Sequence, residues 1–364
     1  MSKPRVAVVF GGRNSEHAVS LMGAGSVLDA IDRSKYEVIP IGIAQDGRWV
    51  LAASGQRFAI EAGELPAVDA SGATLALPTG GSTLVAYDPG SIPVELGSVD
   101  VVFPVMHGPF AEDGTIQGLL EMAGVRYVGS GVLASAVGMD KGHMKTVLAA
   151  AGLPVGRYVV VRDRDWRLDR DRVLKEAEEL GWPLFVKPAR AGSSQGISKA
   201  HDRAGLERAV EFARQHDPKV LIEEAMTGRE IECAVLESLG DDPPAASAPG
   251  EVRVEGGQEF FDFEAKYYPD QMSLTVPADI PAEVAEELRA MAVRAFEALE
   301  CEGLSRVDFF YTPDGRLVLN EINTMPGFTS LSVAPQLWAA TGLPYPALVD
   351  KLIQLALERS PGLR

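Results

Sequence analysis

Apolar positions along the chain fall into short continuous runs, period-2 stretches and helical stripes in alternation, the pattern of an α/β protein. Residues 6–10 are an unbroken apolar run, as expected of a strand buried on both faces of a parallel sheet. Gly11-Gly12 turns the chain and a helix opens near Ser15. Residues 101–105 form a second such strand, which runs into Met106-His107-Gly108, and a helix follows at 116–123. Residues 130–152 contain a helix with Lys141 and Lys145 four apart, a spacing that predicts a solvated cationic face. Strands are expected at 182–188, 220–224 and 230–236, and helices at 206–214, 281–299, 330–342 and 346–357. Residues 45–98, rich in Gly, Ala, Ser and Pro, carry weak strand signals at 48–51 and 83–87 and are expected to be a peripheral insertion. Residues 240–257 form a low-complexity loop. Residues 260–268 gather Asp262, Glu264, Lys266 and three aromatics into an expected mobile loop.

The densest chemistry lies at 306–327, two strands joined by a turn at Pro313-Asp314-Gly315. Alternation puts Arg306 and Asp308 on one face of the first strand, and Glu321 and Asn323 on one face of the second. A two- or four-residue loop sets Asp308 opposite Glu321 and Arg306 opposite Asn323, whereas a three-residue loop separates them. The first register gathers the polar groups and is preferred. Two opposed carboxylates repel unless a cation offsets them. The oxygen-only donors Asp308, Glu321 and Asn323 suit Mg2+ or Mn2+ and not zinc, and Arg306 beside them can grip an anion in a fork.

Composition narrows the function classes. A chain of 364 residues predicts two or three domains, and 46% hydrophobic with 23% charged residues is ordinary for a soluble globular protein. The net charge of −17 disfavours sequence-independent binding to nucleic acid or an anionic membrane, so any nucleotide must be held by a few local Lys and Arg. Two cysteines give neither a disulfide framework nor metal spacing, which suits the cytoplasm. No signal-peptide pattern opens the chain and no apolar run approaches the ~20 residues of a membrane span. The first glycine turn lacks the spaced-glycine dinucleotide fingerprint, so a nicotinamide cofactor is not indicated. Lys187 ends a strand and is followed by the small-residue loop 189–196, a pattern suited to covering phosphates. Glu16 in the first helical turn fits a dipole-stabilised carboxylate or a receiver of a substrate ammonium. His107 at a strand C-terminus is a candidate site residue. The strand ending at Glu223-Glu224 can offer backbone and carboxylate to adenine, with Glu230 on the ribose.

Taken together, these segments resemble the D-alanine–D-alanine ligases of the ATP-grasp superfamily. The motifs are Phe-Gly-Gly-Arg-Asn-Ser-Glu16-His-Ala-Val-Ser, Met-His107-Gly, Gly-Met-Asp-Lys141, Val-Lys187-Pro with Gly-Ser193-Ser-Gln-Gly, Glu264-Ala-Lys266-Tyr267, Ser-Arg306-Val-Asp308 and Asn-Glu321-Ile-Asn323-Thr-Met-Pro-Gly327. Their joint order covers nearly the whole chain outside 45–98. The resemblance implies an ATP-grasp fold with an N-terminal open parallel α/β domain at 1–130, a central subdomain at 131–226 and a C-terminal subdomain at 227–364. It implies that ATP phosphorylates one D-alanine and that the amine of a second displaces the phosphate. In that reading Lys141, Lys187, Ser193 and Ser194 hold phosphates, Glu223, Glu224 and Met226 hold adenine, and Glu230 the ribose. Asp308, Glu321 and Asn323 hold two Mg2+ or Mn2+ ions, while Arg306 and the Gly327 N–H stabilise the transition state. Glu16 takes the ammonium of the first D-alanine, His107 binds substrate, and Ser332 and Lys266 are candidates for the second carboxylate and the transferred phosphate. Glu16, Ser193 and Tyr267 close the mobile loop. Tyr267 favours the amine nucleophile over D-lactate. The resemblance further implies a homodimer formed through the N-terminal domain.

Overall fold

The computed structural model describes residues 2–53, 55–61, 63–77, 81–87, 90, 92–192, 195–254, 272–360 and 362, and three β-sheets organise them. The first sheet begins with β1 (Arg5–Gly11), the helix α1 (His17–Ala30) and β2 (Glu37–Ile43). It continues through β3 (Trp49–Leu51), β4 (Thr74–Ala76), β5 (Thr83–Tyr87), β6 (Val94–Ser98) and β7 (Val101–Val105), then α2 (Thr115–Ala123) and β8 (Arg126–Tyr127). The spatial order is β6-β5-β4-β3-β2-β1-β7-β8. β2, β1, β7 and β8 are parallel, and β1 is buried along Val6–Phe10, which is why its sequence does not alternate.

Residues 45–98 do more than decorate the edge. β3 to β6 extend the same sheet antiparallel from β2. Leu75 and Leu84 are buried, the Phe58 ring meets Phe10 edge-on at 5.1 Å, and the Val68 N–H donates to His17 Nε2 at 3.1 Å. That bond makes Nε2 an acceptor, so His17 Nδ1 carries the proton it gives to the Gly12 carbonyl at 2.7 Å. The segment thus fixes the loop after β1.

Next come α3 (Val132–Met139) and α4 (Lys141–Ala150), and then a four-stranded sheet of β9 (Tyr158–Arg162), β10 (Leu184–Pro188), β11 (Ser198–Ala200) and β12 (Lys219–Glu224). Its helices α5 (Asp163–Leu168), α6 (Arg170–Glu178) and α7 (Arg203–Ala213) cover one face, burying Val186, Val220, Ile222 and Trp166. The other face carries Phe185, Lys187 and Glu223, because Phe185 pairs with Glu223 and Lys187 is two residues further on.

The third sheet has β13 (Arg229–Leu236), β14 (Ala245–Ala246), β15 (Gly250–Val254), β16 (Met272–Thr275), then α8 (Ala282–Ala298), β17 (Leu304–Tyr311) and β18 (Leu317–Asn323), in the order β16-β15-β13-β17-β18 with β14 on β13. One face packs on α8 through Ile231, Val307, Phe309, Leu319 and Ile322, and Met144 and Leu148 of α4 join the same core. Each such fully buried Leu, Ile or Phe contributes about 1.5–3 kcal/mol. The closing helices α9 (Val333–Ala340) and α10 (Tyr345–Glu358) lie on the opposite face, α9 against β13 and α10 against α1 and β7, in a core that also takes in β1. Phe328 stands between Phe103 and Tyr345 at 5.8 and 5.4 Å, which brings the loop after β18 to the C-terminal ends of β1 and β7.

Candidate active site

The hairpin of β17 and β18 sets Asp308 opposite Glu321 and Arg306 opposite Asn323. The route to that register differs from the expected one. Tyr311 pairs with Leu317, so the loop spans residues 312–316, an odd length. Unbroken pairing would then set Asp308 opposite Asn320 and turn Glu321 toward the core. A register shift between Asp308 and Phe309 leaves Asn320 unmatched, and beyond it Glu321 faces the site while Ile322 faces the core. Here a bulge does what an even loop would have done.

On this face Arg306 is gripped twice. Nε and Nη2 donate to the two oxygens of Asp308, each at 2.7 Å, and Nε lies 2.8 Å from Glu232 Oε2. Glu232 stands directly opposite Asp308 in register on β13. Burial works against the guanidinium charge, but Asp308 and Glu232 outweigh it and hold the pKa well above its usual value. Glu232 belongs to the constellation although sequence reasoning passed it over. Its signal was the alternation with Glu230, which shares its face.

The lysines approach from the other side. Asp140 caps α4 by accepting the Gly142 and His143 N–H groups at 3.1 Å and is itself held by Lys219 Nζ at 2.6 and 2.7 Å. This fixes Lys141 at the first position of the helix. Lys141 Nζ donates to the Ala191 carbonyl at 2.9 Å and lies 3.5 Å from Glu321 Oε2, so one lysine touches both the loop after β10 and the hairpin. Lys187 pairs with Glu223 Oε2, and Lys145 reaches Glu223 Oε1 at 2.8 Å. Lys145 is 2% exposed, so the solvated cationic face expected of its spacing is a buried ion pair instead. The i, i+4 spacing had fixed the shared face but not what covers it. Burial of Glu223 favours its neutral form, but the two ammonium groups outweigh that and hold its pKa down at about 2.

Glu16 and His107 meet at the ends of β1 and β7. Glu16 occupies the N-cap position of α1 without capping it. Its carboxylate crowds Gly108 instead, so that a Cβ there would lie 2.5 Å from Oε2, and a Cβ at Gly192 would lie 3.4 Å away. His107 Nδ1 lies 3.2 Å from the Met325 carbonyl, to which it donates, and 3.8 Å from Glu112 Oε1. Burial would lower its pKa, and Glu112 and Glu16 raise it on balance. Its buried Nε2 has no hydrogen-bond partner among the described residues. Gly327 lies against Ser332, whose Oγ would be 3.3 Å from a Cβ at that glycine and accepts the Thr329 N–H at 3.0 Å.

Other expected site residues stand apart or are otherwise engaged. Glu224 pairs with Arg157 at 2.8 Å at the rim, and Met226 is half-buried beside Gly156. Glu230 is exposed on β13. Asn323 Oδ1 accepts the Met325 N–H at 3.0 Å, so it points into the following loop. Ser193, Ser194, Lys266 and Tyr267 lie outside the described residues, as does Glu264. Asp308, Glu321 and Asn323 offer two opposed carboxylates and an amide oxygen, and cations already balance both carboxylates. That donor set fits a hard divalent ion completed by water and phosphate oxygens. Among the described residues no group of three or more His, Cys, Asp or Glu side chains forms a cage by itself.

A hairpin that gathers acids around a buried arginine, lysines of α4 and β10 beside it, and an N-terminal α/β unit whose sheet is parallel at β2, β1, β7 and β8 and antiparallel beyond β2 define an ATP-grasp protein. Family models described as D-ala D-ala ligase N-terminus and C-terminus match residues 5–130 and 147–354. A D-alanine–D-alanine ligase of Arthrobacter sp. (strain FB24) is 58% identical over all of this chain and 96% of its own, and one of Kineococcus radiotolerans is 56% identical over 100% and 99%. The VanG D-Ala:D-Ser ligase from Enterococcus faecalis superposes with a TM-score of 0.81 at 36% identity, covering 98% of this chain and 100% of that one. The D-alanine-D-alanine ligase from Coxiella burnetii gives 0.80 at 34%, covering 99% and 95%. The chain belongs to the D-alanine–D-alanine ligase family.

Proposed function

We propose that this protein joins two D-alanines to D-alanyl-D-alanine at the expense of ATP, supplying a precursor of peptidoglycan. The observation that carries the reading is Lys141 at 3.5 Å from Glu321, in a hairpin register that opposes Glu321 to Asp308 beside a buried Arg306. A carboxylate oxygen of the first D-alanine attacks the γ-phosphorus of ATP, the bond to ADP breaks, and a D-alanyl phosphate forms. The free amine of the second D-alanine attacks its acyl carbon, and the carbon–oxygen bond to phosphate breaks. Glu16 receives the first ammonium, and His107, whose Nε2 has no hydrogen-bond partner among the described residues, binds substrate beside it. Lys141 and Lys187 hold phosphates, Glu223 with the backbone of Glu224 to Met226 holds adenine, and Glu230 takes the ribose. Arg306 and the Gly327 N–H stabilise charge on the acyl phosphate and the tetrahedral intermediate. Asp308, Glu321 and Asn323 would hold two Mg2+ or Mn2+ ions. Such ions draw charge from phosphate oxygens when bound. Ser332 and Lys266 address the second carboxylate and the transferred phosphate. Ser193 and Tyr267 join Glu16 in closing the site against water, with Ser194 on the phosphates.

The chain is read as three units, 1–130, 131–226 and 227–364, a division supported by one sheet in each. α3 and α4 nonetheless pack with the third sheet. No helix among the described residues is long and apolar enough to cross a membrane. A cytoplasmic homodimer joined through the N-terminal unit completes the proposal, with neither nucleic acid nor membrane as partner. The test is phosphate release from ATP with Mg2+ and D-alanine, with product identified by mass and D-lactate in competition across pH 6 to 9. Dipeptide dominating at neutral pH is expected. Depsipeptide dominating overturns the choice of nucleophile, and no release with either overturns the reaction.

A further inference from the structure

Lys145 is a buried cation that the proposed mechanism leaves without a task. It is 2% exposed, and its Nζ lies 2.8 Å from Glu223 Oε1, while Lys187 holds the other oxygen. Its helix is firmly placed, with Asp140 capping the N-terminus and Met144 Sδ accepting the Ile322 N–H at 3.4 Å. The three groups form a buried cluster of two ammonium ions and one carboxylate. Glu321 also acts on Lys187 from the hairpin, and a nucleotide's phosphates would compete with these carboxylates for that lysine.

Binding then redistributes the partners. Lys187 is the lysine on the phosphate-covering strand, and when it turns to phosphate it leaves Glu223 Oε2 open. A buried carboxylate stripped of its counterions takes up a proton. Protonated, it would donate to a base instead of accepting the exocyclic amine of adenine. A cation that stays on Oε1 keeps Glu223 ionised and its second oxygen an acceptor.

We infer that Lys145 is a positioning residue for base selection, holding Glu223 as an anionic acceptor once Lys187 has moved to the phosphates. This rests on the reading in which Glu223 meets adenine and Lys187 meets phosphate. Guanine presents a carbonyl oxygen where adenine presents its amine. An ionised Glu223 therefore rejects guanine, whereas a protonated one tolerates it.

The experiment compares wild type, Lys145→Met, Lys145→Arg and Glu223→Gln by calorimetric binding of ATP, GTP and inorganic tripolyphosphate, with thermal melting to verify folding. Lys145→Met is expected to cut the ratio of ATP to GTP affinity at least tenfold while tripolyphosphate binding moves less than threefold. Lys145→Arg should restore most of the ratio. If Glu223→Gln collapses the ratio but Lys145→Met does not, the role of Lys145 is wrong and the adenine assignment stands. If Glu223→Gln leaves the ratio unchanged, the adenine assignment itself falls and this proposal with it. Should Lys145→Met fail to fold, Lys145→Gln carries the same test, with the same outcomes.

Discussion

Gly108→Ala separates the stability of the site from its grip on substrate. Gly108 has φ +70°, and an L side chain there costs about 1–2 kcal/mol of stability. The new Cβ would stand 2.5 Å from Glu16 Oε2, about 1 Å inside ordinary contact. That oxygen ends a flexible side chain, so the clash is relieved by moving the carboxylate and not by breaking the fold. A displaced Glu16 forfeits its charge-assisted bond to the first D-alanine ammonium, worth about 1.5–3 kcal/mol. The KM for the first D-alanine should therefore rise roughly 10- to 150-fold, with KM for ATP nearly unchanged. Gly124→Ala is the control, because its φ of +65° carries the same backbone cost with open space around the added methyl. Both variants should melt a few degrees below wild type, and only Gly108→Ala should lose D-alanine affinity. Steady-state kinetics with each substrate varied in turn reads this out. Equal D-alanine KM values in the two variants would refute the placement of Glu16 at the substrate ammonium.

Three further outcomes follow from the buried charges. Glu223→Gln leaves Lys145 and Lys187 facing each other without a counterion, which should cost about 3–5 kcal/mol in denaturant unfolding at pH 7. Glu223 titrates at about 2 in the fold against 4.5 ordinarily, so its contribution is complete above 4.5 and is lost as pH falls toward 2. The stability gap between wild type and Glu223→Gln should narrow over that window, and a gap constant from pH 7 to pH 2 contradicts the ion pair. Arg306→Ala should cost on the order of 100- to 1,000-fold in kcat while ATP still binds, and near-normal turnover would remove Arg306 from the chemistry. Asp308→Asn should weaken Mn2+ binding, followed by electron paramagnetic resonance, by at least the roughly 10- to 100-fold that loss of an outer-sphere contact causes. Unchanged Mn2+ affinity would move the metal elsewhere.

How far the sequence revealed this site depended on period. Alternation predicted the faces of β17 and β18 correctly, and the clustering of polar groups chose the right register. The loop length behind that choice was wrong. Only the adjacent pair Asn320-Glu321 hinted at the bulge that compensates. Lys145 was misjudged because i, i+4 spacing reports which residues share a face and says nothing of the strand that covers it. Residues 45–98 were hard to read for a different reason. Strands of three to five residues between glycines and prolines carry too few alternations to register, although they complete the first sheet and the loop between two of them pins His17 through Val68. Local placement at strand ends had already marked Glu16 and His107, whereas Gly327 and Ser332 carry no local signal and entered only through the resemblance. The order of the motifs tied these residues to one site.

The ion pairs of the site also imply how nucleotide and metal bind. Lys141, Lys187 and Arg306 are each occupied by a carboxylate, Glu321, Glu223 and Asp308 respectively, which the proposed function assigns to another partner. An anion that took Lys141 alone would leave Glu321 exposed to Asp308 across the hairpin. A divalent ion that took Asp308 and Glu321 alone would leave Arg306 and Lys141 short of counter-charge. Each half of the exchange is costly alone and inexpensive with the other, because breaking one buried pair without replacement costs about 3–5 kcal/mol. Nucleotide and metal should therefore bind with positive coupling of about 1–3 kcal/mol, beyond their mutual affinity in solution. Mn2+ titrated with and without a non-hydrolysable ATP analogue measures that coupling, after correction for the free complex. Independent binding would mean that the lysines and carboxylates do not exchange partners, and that the ion pairs seen here persist in the working enzyme.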